Sequence, residues 1–189
     1  MDFESAIQLS ISKFDSPEFI QRIKEEDEKM VKYLPELKRI NELGFLTHSS
    51  QAGHHSFGFS KLLQTDYEER QRAYVFGYLP HSVALKFIPY FNCYTDKNAM
   101  IIPIYSSYLL SSKLDIPLTI VVSENNINVQ THMAPFITID YEVVQRNELN
   151  LSISDSCVYV FCWDSKWCRN ACKEDGLFLQ IIRILQQIN

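Results

Sequence analysis

Arg39 to Gly53 reads RINELGFLTHSSQAG, and this stretch fixes where the chain changes its architecture. Leu37, Ile40 and Leu43 recur at helical spacing, and Gly44 supplies the left-handed residue that stops a helix. Phe45-Leu46-Thr47 then begins a strand. Helix therefore gives way to strand at Gly44. Beyond it the chain concentrates small polar side chains, and two of its five glycines lie between residues 44 and 53. Thr47, Ser49, Ser50 and Gln51 offer neutral donors and acceptors at short reach, which suits holding the polar edge of a small ligand. The same residue types also build turns, so side-chain chemistry alone leaves both readings open.

Upstream, residues 1 to 43 read as helical. Ser16-Pro17-Glu18 predicts an N-cap followed by proline at the first helical position. Pro35 opens a further helix. Downstream, the strand from Phe45 is expected to run into an exposed loop reaching Leu63, with His54 and His55 inside it. Ala73 to Leu79, AYVFGYL, predicts a strand, and Ser82 to Cys93 a helix. Met100 to Tyr105, Leu118 to Val122, Phe136 to Val144 and Cys157 to Trp163 predict four more strands, with a turn at Asn125-Asn126. Glu68-Glu69 reads as part of a charged, turn-like stretch. After Gly176, LFLQIIRILQQI predicts a terminal helix docked on the sheet. Helices at both ends and strands between them argue for an α+β fold, with a mixed or antiparallel β-sheet core flanked by N-terminal helices and a C-terminal helix. Residues 1–32 are expected to form an N-terminal helical arm and residues 33–189 one α+β domain.

Composition bounds the function. With 46% apolar and 22% charged residues in 189, the chain can bury a core of its own and is not a disordered sequence. A net charge of -5 offers no clustered cations for nucleic acid or for an anionic membrane. No apolar run is long enough to span a bilayer. The acidic start, MDFESAIQLS, lacks the pattern of a secretory signal, which predicts an intracellular, most simply cytoplasmic, protein. Five cysteines in that setting are expected as free thiols, with Cys157 and Cys162 packed as small hydrophobes.

Catalytic and metal patterns are weak. His48, His54, His55 and His81 have no third ligand at metal spacing, and Cys162, Cys168 and Cys172 match no zinc arrangement. Ser49-Ser50 is no nucleophile elbow, and the glycines form no phosphate-binding loop. An enzyme acting on an adenosyl or nucleotide substrate, with His48, His54 or His55 as general base, is the least supported reading.

Two segments, RINELGFLTHSSQAG (Arg39 to Gly53) and QRAYVFGYLPHSVALKFIPYF (Gln71 to Phe91), resemble the C-terminal regulatory domain of eukaryotic methylenetetrahydrofolate reductase. That family has a helix ending R-V-N-x-x-G, then L-T-x-x-S-Q-P, a glycine-containing loop and a Q-K-A-Y strand. Arg39, Ile40, Asn41, Gly44, Leu46, Thr47, Ser50 and Gln51 match the first part, and Gln71, Arg72, Ala73 and Tyr74 the second. The resemblance extends loosely over residues 28–189. It implies a non-catalytic domain that binds S-adenosylmethionine, with Thr47 and Ser50 among the contacts and Thr119 and Thr131 as matches to later threonines. The family's Glu-Thr pair falls on Lys29 and Met30, with Glu28 one place away, and its proline after S-Q is Ala52. Either Glu28 takes the ligand's ammonium group, or the ligand differs. The resemblance therefore implies a stand-alone module for S-adenosylmethionine or a related small adenosyl metabolite. The alternative is an interaction protein that keeps the fold without the pocket and uses its surface for a protein partner or homodimer.

Overall fold

The structure is a computed structural model that describes residues 2–62, 64–102, 115–123, 126–133 and 157–189. The expected strand at Phe136 to Val144 lies outside the described residues.

The chain opens with α1 (Phe3–Phe14), capped by the Asp2 carboxylate, which accepts from the Ser5 amide at 2.7 Å. Ser16 caps α2 (Pro17–Asp27), its hydroxyl accepting from the Phe19 amide, with proline at the helix start as its sequence predicts. A 3-10 segment (Glu28–Tyr33) leads into α3 (Leu34–Glu42). Gly44, at φ +88°, ends α3 as expected. The Gly44 amide donates to Asn41 O at 2.9 Å and the Phe45 amide to Ile40 O at 3.2 Å, the paired bonds of a Schellman stop.

Two antiparallel four-stranded sheets follow. The first runs in the order β1 (Leu46–Gln51), β4 (Tyr74–Pro80), β8 (Cys157–Asp164), β5 (Lys97–Ile102). The second runs β2 (His54–Ser60), β3 (Thr65–Gln71), β6 (Asp115–Ser123), β7 (Asn126–Met133). Between β4 and β5 lies α4 (His81–Tyr94), and α5 (Leu177–Ile188) ends the chain. The α+β architecture with flanking helices is as the sequence predicts.

The first sheet is buried on both faces. Val75 and Leu79 of β4 and Val160 and Cys162 of β8 join Leu37 and Ile40 of α3, Phe87 and Phe91 of α4, and Phe178 and Ile181 of α5. The alternate residues, Phe76, Tyr78, Tyr159 and Phe161, pack on the other side with Ala6 and Ile7 of α1 and Leu118 of β6. Phe76 and Phe161 stack there with ring centroids 4.1 Å apart. Two-sided burial is why AYVFGYL and CVYVFCWD are almost unbroken apolar runs. Gly77 serves the same packing, because a Cβ there would overlap the Leu46 carbonyl of β1.

The stretch expected as a loop up to Leu63 is instead the end of β1 followed by β2, and the Glu68-Glu69 stretch is β3 rather than a turn. β2 exposes His55, Phe57 and Phe59 and turns His54, Ser56 and Gly58 partly inward, the reverse of an apolar-inside alternation. These strands are held by pairing, with β3 between β2 and β6, and not by an apolar face of their own. A further strand, β7, starts at Asn126, which pairs with Ser123 of β6; Asn125 of the predicted turn lies outside the described residues.

Candidate functional site

β1 is an edge strand of its sheet, and its free side faces α1, α2 and the 3-10 segment. A cleft of about 710 Å3 lies between them. Its strand wall is Thr47, His48, Ser49, Ser50 and Gln51. Five consecutive residues of one strand ordinarily point to alternate faces. Here the pairing with β4 slips between Thr47 and Ser49, so His48 is the extra residue of a bulge that re-aims its neighbours. The helical walls bring Ser10, Lys13 and Phe14 from α1 and Phe19, Arg22, Ile23, Glu26 and Asp27 from α2, above a floor of Met30, Leu34 and Leu37.

Asn41 ties these walls together although it lies outside the cleft. Fully buried, it donates through Nδ2 to Leu37 O at 2.8 Å and to Thr47 Oγ1 at 2.7 Å. Its Oδ1 accepts from the Ser10 hydroxyl at 3.1 Å and from the Thr47 amide at 3.0 Å. One side chain thus sets the spacing of α1, α3 and β1. On the open side, Gln51 Nε2 donates to Asp27 Oδ2 at 2.9 Å, joining β1 to the end of α2.

The residues singled out by sequence divide in two. Thr47, Ser49, Ser50 and Gln51 share the strand wall. Glu28 and Lys29 are exposed on the 3-10 segment and do not line the cleft, whose carboxylates are Glu26 and Asp27. Thr119 sits in β6, where its hydroxyl accepts from Gln71 Nε2 at 3.4 Å, and Thr131 is in β7, paired with Pro117. Thr119 does not line the cleft. Sequence reasoning missed Phe14 at the end of α1 and Phe19, Ile23 and Asp27 of α2, where the available signal was the helical recurrence of Phe19 and Ile23.

The Ala52 amide donates to the Met30 sulfur at 3.3 Å, joining the end of β1 to the 3-10 segment.

His48 Nδ1 lies 3.0 Å from the Tyr159 hydroxyl. With the proton on Nε2, Nδ1 accepts from Tyr159. Partial burial of its ring lowers the pKa of His48 below its ordinary 6.5, although the residue as a whole is exposed on β1, and burial raises that of Tyr159. Since the folded pKa of His48 is depressed, the stability it contributes is complete above pH 6.5 and is lost as pH falls through the folded value. An NMR titration should place its midpoint below 6.5, and His48→Gln should reduce the acid-side fall in urea midpoint. A midpoint at or above 6.5 contradicts this.

Away from the cleft, His54 and His55 pair with Glu69 and Glu68 across the β2–β3 hairpin at 3.2 Å and 2.6 Å. No group of three or more metal-binding side chains lies together among the described residues. Cys162 is fully buried in the core, which pushes its thiol pKa well up. Among the described residues no helix is long and apolar enough to cross a membrane. No protein-family model matches the chain, and no curated protein matches it either.

Proposed function

We propose that the cleft between α1, α2 and β1 binds S-adenosylmethionine or a related adenosyl metabolite, and that the chain is a non-catalytic binding module. The observation that carries this reading is the wall of hydroxyls and amide from Thr47 to Gln51 facing an apolar floor across about 710 Å3, within the usual size of small-molecule sites. The motif resemblance supports the ligand class, because Thr47, Ser50 and Gln51 of its L-T-x-x-S-Q stretch are on this wall. Phe14 and Phe19, in an edge-to-face pair at 5.5 Å, give an aromatic surface for a planar base. Glu26 and Asp27 provide carboxylates for an ammonium group, and Lys13 and Arg22 provide cations on the same rim.

Isothermal calorimetry with S-adenosylmethionine and S-adenosylhomocysteine tests the reading. At least one should bind, and Ser50→Ala combined with Phe14→Ala should weaken it about tenfold or more, given about 1 kcal/mol for each lost hydrogen bond or aromatic contact. No heat and no thermal shift at millimolar ligand overturns it.

A further inference from the structure

The geometry points to α2 as a lid over the cleft that opens for entry and closes on the ligand, a regulation of the site that rests on the reading of the cleft as a ligand pocket. α2 contains no buried residue, whereas its neighbours are firmly seated: α1 buries Ala6, Ile7 and Ser10, and α3 buries Leu34, Leu37, Ile40 and Asn41. The residues of α2 that line the cleft are Phe19, Arg22, Ile23, Glu26 and Asp27, of which Phe19, Ile23 and Asp27 are half-buried and Arg22 and Glu26 exposed. Its apolar face therefore borders the cleft, with Ile23 reaching the edge of the helix-side core but no residue of the helix buried in it.

Both ends of the helix are anchored. At the front, Lys38 Nζ of α3 donates to both Asp15 carboxylate oxygens at 2.7 Å, which pins the junction between α1 and α2. At the back, Met30 and Tyr33 of the 3-10 segment are buried in the helix-side core. The helix between these anchors is held across the cleft by the Gln51–Asp27 hydrogen bond and the Phe14–Phe19 ring contact. A segment with few buried contacts and fixed ends is the kind that opens locally without global unfolding. A ligand filling the cleft adds packing to the half-buried Phe19 and Ile23, so occupancy closes the lid.

Amide hydrogen exchange on the full chain tests this. In the free protein, the amides of α2 should exchange faster than those of α1 and α3, and Gln51→Ala should accelerate α2 while leaving α3 unchanged. With S-adenosylmethionine at about 100 times its dissociation constant, α2 exchange should slow by about a hundredfold. Exchange of α2 in step with α1 and α3 in the free protein overturns the lid. Calorimetric binding with unchanged α2 exchange also overturns it and leaves the ligand site standing. Absence of binding heat overturns the ligand reading, while the free-protein exchange of α2 still decides whether the helix opens.

Discussion

Replacing Arg169 with methionine should lower the unfolding free energy by about 3–5 kcal/mol, the usual cost of stranding a buried charge. Arg169 is nearly enclosed, its side chain 8% exposed, and the carboxylate of Asp164 is fully buried. Arg169 Nη2 reaches Asp164 Oδ1 at 2.9 Å and Asp96 Oδ2 at 2.6 Å, while Nη1 reaches Asp175 Oδ2 at 3.1 Å. The guanidinium therefore joins the end of β8, the start of β5 and the loop before α5. Burial raises the pKa of Asp164, whereas Arg169 foremost holds the half-exposed Asp96 well below the ordinary carboxylate range. Asp164 Oδ2 has no hydrogen-bond partner among the described residues, so its charge depends on neighbouring cations. Urea unfolding should show a lower midpoint at unchanged slope. Adding Asp164→Asn to Arg169→Met should restore part of the loss, because it removes the stranded charge. A loss below about 1 kcal/mol would place the pair among ion pairs of surface strength.

Asn41→Ala is expected to cost about 3 kcal/mol, since unsatisfied buried groups cost about 1–3 kcal/mol each and this change strands several together. The Thr47 amide and hydroxyl lose their partners, as does the Ser10 hydroxyl. Asn41→Asp keeps the acceptor but cannot donate to Leu37 O or Thr47 Oγ1, and it buries a charge at a fully enclosed position. It should therefore not rescue stability. Because Ser10 and Thr47 both line the cleft, any ligand should also bind Asn41→Ala more weakly. Stability within about 1 kcal/mol of the parent would mean that the network can be replaced by water.

The helix stop at Gly44, the Ser16 cap and the doubly buried strands were legible because each depends on local chemistry or an uninterrupted apolar run. The β2–β3 hairpin was not legible, since HHSFGFS and TDYEERQ form strands through backbone pairing to each other, and β3 to β6, while exposing Phe57 and Phe59. The strand wall of the cleft was visible as a cluster of small polar residues. Its opposite wall was hidden because Phe19 and Ile23 sit in an ordinary amphipathic helix, and only the tertiary arrangement places that helix over β1. The charge at the cleft followed the same rule. Glu28 and Lys29 stand beside Asp27 in sequence, yet the turn into the 3-10 segment, capped by Asp27 on the Lys29 amide at 3.1 Å, leaves them outside and Asp27 within.

The measurement that tests the central claim most directly is an amide NMR titration of the full chain with S-adenosylmethionine. The account predicts saturable shifts confined to the cleft walls and floor, residues 10–14, 19–37 and 47–51, with the β2–β3 hairpin unmoved. Saturable shifts centred on other elements, or none at millimolar ligand, would contradict it.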